Sequence, residues 1–473
     1  MVKIYIADAM ELKDEQRYQG LYNGLDIARR QKTDRLLFAK DQRLSVAAGA
    51  LLTYALRQEQ IFTPTIDVMP NGKPYLTGEE GVYFNLSHSE ERVMCAVSDQ
   101  EVGCDSANKM LCSEVGNEEI RQMKKYNYID LTRTMTMFGV MLCHILLFFS
   151  NNPFWYIYAD EENAIAIYLC AVLDVTVVPV FVFCSGFLFQ LSLQKKTISI
   201  PANLMKRTKR LLLPFFVYGC LWLVPTYTLL DIPTSGRPKG TSVIDGYQAM
   251  LLGQFCDVSW FLLMLFWVTV IWIFLQKLLK KERFLLGVIA AFLSYFAAHF
   301  LLADISFYKL NQIDIYLIIF FAGASLYWIA DKVNQWSCLV LLLLSVAGVA
   351  FCAILAPYSS NLYWLHCVLA VIMPVSIVIF AMGSCKLKAV CAIENTKIYQ
   401  WLLKYNLELY LLQAPGMYIS FGWIYPLLRH NFALSVILIL AVTILLDVIC
   451  VTLLTYIRTI LSHIMQTASI RRQ

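Results

Sequence analysis

Arg133 and His144 are the two residues whose types and spacing first suggest chemistry. Both lie in an apolar stretch, 126–150, long enough to cross a bilayer as a helix. An ionisable side chain inside a membrane helix is costly, which makes it a functional candidate by default. Eleven residues at about 100° each make roughly three turns plus 20°, with a rise of about 16 Å. The two side chains therefore share one helix face, Arg133 near the membrane surface and His144 well inside. Asp130, three residues before Arg133, is placed to pair with it. A neutral imidazole near pH 7 can take a proton from a hydroxyl. The planar fork of arginine matches phosphate oxygens. A second such group is Arg207 and Arg210, three apart and on one face if their segment is helical. A base and fixed cations are what acyl transfer from a phosphate-bearing donor such as coenzyme A to a hydroxyl requires.

The rest of the chain must hold these groups. Of 473 residues, 58% are hydrophobic and only 15% charged, against about half and about a quarter in a soluble domain. The excess is uneven. Up to about Gln122 the polarity is ordinary; beyond it apolar runs dominate. This predicts an all-α polytopic membrane protein with a small N-terminal α/β soluble region. The opening Met-Val-Lys-Ile-Tyr-Ile-Ala-Asp reads as a strand rather than a signal peptide. The 14 cysteines are scattered, with no Cys-x-x-Cys, and read as buried small hydrophobes. The net charge of +5 gives no reason to expect nucleic acid as a partner.

In the N-terminal region a strand is predicted over 2–7. An amphipathic helix is predicted over 41–60, with Leu44, Ala48, Leu51, Leu52 and Ala55 on one side. A turn is expected at Asn71-Gly72, and strands over 82–86 and 93–97 around the polar Ser87-His88-Ser89. Residues 106–125 read as a charged linker. Three motifs carry a likeness here: Gly72-Lys73-Pro74-Tyr75-Leu76, Phe84-Asn85-Leu86-Ser87-His88-Ser89 and Val102-Gly103-Cys104-Asp105. In order and spacing, residues 1–105 resemble the first half of a 4′-phosphopantetheinyl transferase of the surfactin-synthetase-activating type. By that resemblance Arg43, Lys73, Ser87 and His88 would be remnants of a coenzyme A site, and Asp105 a Mg²⁺ ligand. The family's next carboxylate is replaced by Ser106-Ala107, and its second half does not follow. Mg²⁺ usually needs carboxylates along with phosphates and water. The region therefore reads as an incomplete half-domain that loads no carrier protein, and Mg²⁺ is expected only if it were active.

From Tyr126 on, roughly ten spans are predicted: 127–150, 164–194, 211–230, 258–278, 284–302, 312–330, 336–356, 361–382, 399–424 and 432–460. Pro179 is expected to kink the second, and Pro415, Gly416 and Gly422 to break the ninth. Residues 461–473 read as a basic tail. Lys195, Lys196, Lys206, Arg207, Lys209, Arg210, Lys277, Lys280, Lys281, Arg283, Lys332, Lys386, Lys388 and Lys397 alternate to one side, with Arg471 and Arg472. Asp160, Glu161 and Glu162 fall on the other, with a few bases, Arg237, Lys239, Lys309 and Arg429. The positive-inside rule places both termini in the cytoplasm of a multi-pass plasma-membrane protein.

Several motifs of this part resemble the acyltransferase 3 family of integral membrane acyltransferases over residues 126–460. They are Ile129-Asp130-Leu131-Thr132-Arg133 with Arg-x₁₀-His to His144, the apolar run from Val178 into Ser185-Gly186-Phe187, and Arg207-x-x-Arg210 followed by Pro214. Val258-Ser259-Trp260 and Leu409-Tyr410-Leu411-Leu412-Gln413-Ala414-Pro415 extend the likeness, although the family often has His where Gln413 stands. The resemblance implies an enzyme that moves a short acyl group, such as acetyl, from acyl-CoA to a hydroxyl. The acceptor would be a cell-surface glycan or a lipid-linked sugar. His144 would be the general base, Arg133, Arg207 and Arg210 would hold donor phosphates, and Asp130 and Ser185 would support them.

Plainer readings stand beside these. His144 could be a core histidine bonded to a neighbouring helix. Arg207 and Arg210 could be positive-inside charge that binds anionic lipid, and Ser185-Gly186 could serve close helix packing. Asp174, Glu408 and Asp447 could pair with buried polar groups, and His299 and His366 fall near span ends. A polytopic transporter with buried charges along its path is the alternative class, and phosphopantetheinyl transfer by the N-terminal region a further one.

Overall fold

The computed structural model describes residues 3–34, 36, 38–62, 64–68, 74–77, 82–89, 92–99, 126–150, 157–195, 199–232, 240, 242–254, 257–429 and 431–470. Two compact units divide the chain, Met1–Asn127 and Tyr128–Gln473.

In the first unit, β1 (Lys3–Asp8) is followed by α1 (Glu15–Asn23), α2 (Ile27–Asp34) and α3 (Ala39–Gln58). Then come β2 (Thr65–Val68), β3 (Pro74–Thr77), β4 (Tyr83–Ser89) and β5 (Arg92–Ser98). An antiparallel sheet runs β1-β5-β4, and β2 pairs with β3. The core is where the period-3.6 pattern of α3 meets the period-2 pattern of the sheet. Leu44, Ala48, Leu51, Leu52 and Ala55 pack with Phe84, Val93, Cys95 and Val97. Ser87-His88-Ser89 does not leave the sheet as a polar connection. It continues β4, with Ser87 opposite Met94 and His88 opposite Val93. Asn71-Gly72, Lys73, Asp105 and the 106–125 linker lie outside the described residues.

The second unit is helical. It contains α4 (Asn127–Phe148), α5 (Ala164–Asp174) and α6 (Val177–Lys195). Next is α7 (Ile200–Leu229), then α8 (Val243–Leu251), α9 (Trp260–Phe274) and α10 (Phe284–Leu301). The chain continues with α11 (Asp314–Asn334), α12 (Cys338–Ser359) and α13 (Tyr363–Ser384). It closes with α14 (Lys388–Glu394), α15 (Lys397–Lys404), α16 (Asn406–Trp423), α17 (Tyr425–Leu428) and α18 (Phe432–Ile470). Among the described residues 8 helical segments are long and apolar enough to cross a membrane. The other two expected spans are the short α9 and α16, which are not among the eight. At 15 residues α9 is about 22 Å long, less than the roughly 30 Å of hydrocarbon.

Proline explains the irregularities. Pro179 lacks an N–H and crowds the carbonyl four residues back, at Val175. The chain turns at Val175-Thr176, so the second span is two helices, α5 and α6. In α7, Pro214 and Pro225 stand four residues after Arg210 and Leu221. Those two residues are the centres of π-helical turns at Thr208–Leu212 and Gly219–Leu223. The widened turns recover the lost bonds: Leu213 N–H reaches back to the Thr208 carbonyl, and Val224 N–H to that of Gly219. The expected break at Pro415 does not occur. Pro415 lies inside a continuous α16, buried against its neighbours, and the helix stops only at Ile424. Likewise α18 does not end at 460 but continues to Ile470.

Two contacts fix the helices that frame the site. α6 and α11 cross at a reciprocal glycine contact. A Cβ on Gly186 would stand 2.0 Å from the Phe320 carbonyl oxygen, and one on Gly323 2.0 Å from that of Phe183. Only glycines allow backbones this close. Beside this crossing, buried Trp272 of α9 donates its indole N–H to Leu317 O of α11 at 3.2 Å and stacks on Phe321.

Candidate active site

Among the described residues, two of the cavities in the helical unit hold the candidate residues. The larger, of about 550 Å³, is walled by Cys143, His144, Ser150, Tyr168, Asp174 and Trp260 among others. The smaller, of about 130 Å³, is walled by Arg133, Ser185, Arg207, Arg210, Thr269 and Asn406 among others. Phe181, Phe261 and Tyr410 line both. These three aromatic side chains are thus the partition between a cavity carrying the histidine and a cavity carrying the arginines.

Helix α4 positions both His144 and Arg133. His144, 7% exposed, faces the large cavity, and Arg133 faces the small one. The eleven-residue spacing puts both on one face, as expected, but it opens onto two chambers instead of one. Arg133 Nη1 lies 3.6 Å from Asp130 Oδ1, the predicted pair one turn away. At the other end, Gln413 of α16 is a neighbour of His144. Its own Nε2 donates to Tyr410 O at 2.9 Å.

The π-turn of α7 brings Arg207 and Arg210 to the small cavity together. Arg207 lies over the Phe189 ring at 5.2 Å. Among the described residues neither arginine has a carboxylate partner. Three guanidinium groups therefore converge on one cavity with Asp130 as the paired acid. Taking each ion out of water costs several kcal/mol unless a counter-charge is supplied. An anion at 4 Å would return about 4 kcal/mol per pair at an effective dielectric constant of about 20.

The remaining expected residues separate. Ser185 lines the arginine cavity, but its hydroxyl donates to the Phe181 carbonyl of its own helix at 2.8 Å. Gly186 beside it serves helix packing. Asp174, on the wall of the histidine cavity, lies 3.7 Å from His366 Nδ1. His299 Nδ1 lies 3.0 Å from Asp314 Oδ2, which also accepts the Tyr363 hydroxyl at 2.7 Å, away from both cavities. Asp447 is 1% exposed on α18, beside Gly416. In the first unit, Arg43 is on α3 and Ser87 and His88 on β4, whereas Lys73 and Asp105 lie outside the described residues. Among the described residues no three His, Cys, Asp or Glu side chains gather to hold a metal ion.

Sequence reasoning missed Asn406, Thr269, Phe181 and Phe261 as wall residues. The one available signal was on α16. Asn406, Tyr410 and Gln413, at i, i+4 and i+7, form a polar stripe on an apolar helix. Tyr410 is held by its hydroxyl, which donates to the Val258 carbonyl just before α9.

One comparison with known proteins agrees with this architecture. The acyltransferase 3 family model, an acyltransferase domain, matches residues 126–452. No curated protein and no solved structure matches. The match leaves residues 1–125 uncovered, and no comparison supports the phosphopantetheinyl-transferase likeness there. Span-length apolar helices, a buried histidine and a cluster of arginines thus occur within a single matched domain, and the chain belongs to the acyltransferase 3 family of membrane acyltransferases.

Proposed function

We propose that this membrane acyltransferase moves a short acyl group, most simply acetyl, from acyl-CoA to a hydroxyl of a cell-surface glycan or a lipid-linked sugar. The observation that carries the reading is the shared wall. The arginine cavity and the histidine cavity have Phe181, Phe261 and Tyr410 in common as lining. Arg207 and Arg210, with no carboxylate partner among the described residues, supply the charge that donor phosphates need, with Arg133 beside them. The small cavity suits a phosphate or a narrow chain, so the nucleotide stays at the mouth and the pantetheine arm threads toward His144. The rise of about 16 Å from Arg133 to His144 is of the order of such an arm's reach.

The chemistry follows from the groups present. His144 takes the acceptor hydroxyl proton as the oxygen attacks the thioester carbonyl. The tetrahedral adduct collapses with cleavage of the C–S bond. The imidazolium then returns its proton to the leaving thiolate, so His144 ends as it began. Charge alternation supports a plasma-membrane protein with both termini in the cytoplasm. The arginine cavity, near the α4 N-terminus, would then face the acyl-CoA pool and the histidine cavity the acceptor.

The test is to incubate purified protein with acetyl-CoA and candidate glycans and weigh the products. Acetylated glycan and stoichiometric free CoA are expected. A panel of acyl-CoA donors left intact under conditions where the protein stays monodisperse would overturn the reading.

A further inference from the structure

Asn406 is 6% exposed, lies at the start of α16 and lines the arginine cavity. Its side-chain Nδ2 is buried and makes no hydrogen bond among the described residues. A buried amide N–H left unmade costs about 1–3 kcal/mol, so a donor in that state inside a cavity calls for an acceptor from a ligand. The cavity already offers three guanidinium groups for phosphate. Asn406 adds a neutral donor, and it belongs to the stripe whose next members are Tyr410, on the shared wall, and Gln413, beside His144. It therefore stands where the chain between phosphates and thioester must pass.

Resting on the acyl-CoA reading above, we propose that Asn406 binds the pantetheine arm of the donor, its side-chain amide donating to an amide carbonyl of that arm. The arm of coenzyme A carries such carbonyls, and nothing else between its phosphates and its sulfur accepts as well. Asn406 thereby distinguishes coenzyme A from a bare nucleotide of equal charge, a distinction that arginines alone cannot make. The thioester carbonyl is not its partner, because the reacting carbon has to reach His144 in the neighbouring cavity.

The experiment compares two probes on the full-length protein in lipid nanodiscs. Coenzyme A has the arm; adenosine 3′,5′-bisphosphate has phosphates and nucleoside without it. Wild type should bind both, and coenzyme A more tightly. Asn406→Leu, with the same branching at Cγ but no polar atom, should weaken coenzyme A about tenfold, the loss of one hydrogen bond together with desolvation of its partner, and leave the bisphosphate unchanged. Retained bisphosphate binding also certifies the fold. Equal weakening of both probes would place Asn406 on the phosphates or in the fold, and it overturns the proposal if Asn406→Ser behaves the same way. Unchanged coenzyme A affinity in Asn406→Leu overturns it too, as does wild type that binds coenzyme A no more tightly than the bisphosphate. Failure of wild type to bind either probe would instead overturn the acyl-CoA reading itself.

Discussion

Gly186→Ala tests whether the α6–α11 crossing sets the width of the arginine cavity. The new Cβ would lie 2.0 Å from the Phe320 carbonyl oxygen and 2.9 Å from its carbon, whereas ordinary contact begins at 3.4 Å. Both obstructing atoms are backbone, so no side chain can swing aside. The helices would have to part by about 1.4 Å at the crossing. Overpacking of this kind costs about 1–3 kcal/mol, and a backbone obstruction belongs at the upper end, about 3 kcal/mol. Parting the helices also displaces Ser185 and Phe181 of α6, which line the arginine cavity, so donor use should fall together with stability. Gly323→Ala meets the Phe183 carbonyl in the same way and should have a similar effect. Because one separation relieves both clashes, the double variant should cost clearly less than the two single costs added, a coupling that a double-mutant cycle reads directly. The assay is thermal unfolding in a fixed detergent, paired with acyl-CoA turnover. A wild-type unfolding midpoint in either single variant, or strict additivity in the double, would refute the reasoning.

Four further outcomes are expected. His144→Ala should lower acyl transfer by about 10²–10⁴, the contribution of a general base, while the protein remains monodisperse and inserted; near-wild-type transfer would leave His144 a structural residue. Arg133→Ala, and Arg207→Ala with Arg210→Ala, should raise the acyl-CoA concentration needed with a smaller loss at saturation, seen in a KM-against-kcat split. Pro214→Ala restores the N–H whose absence the π-turn at Thr208–Leu212 accommodates. It should therefore leave or raise the unfolding midpoint yet weaken donor binding, since Arg210 is redirected. The full-length protein given coenzyme A, Mg²⁺ and an apo carrier protein should add no phosphopantetheine to the carrier, checked by its mass.

The sequence by itself determined what depends on local order. Apolar length gave the helices of the second unit, and period-2 and period-3.6 patterns gave the α3 and sheet core. The i+11 relation of Arg133 and His144 followed from helix geometry, and the Asp130–Arg133 pair from an i+3 spacing. Proline positions mark two of the irregularities. Pro179 marks the α5–α6 break, and Pro214 the π-turn that carries Arg210. Pro415, of the same residue type, breaks nothing because its helix is buried among partners. Whether a proline interrupts a helix is settled by what surrounds it, which no local pattern records.

Only the tertiary structure decided how these pieces form a site. The arginines of α7 and that of α4 meet in one cavity whose walls also come from α6, α9 and α16, elements far apart in the sequence. The division into two cavities depends on Phe181, Phe261 and Tyr410, from three helices, and on an apolar helix an aromatic residue has no signature separating wall from lipid face. The polar stripe of α16 places Asn406 on a face, and the fold buries its amide with no hydrogen bond among the described residues. Spacing along a helix fixes direction about that helix. Which directions converge is fixed by the packing of many helices at once.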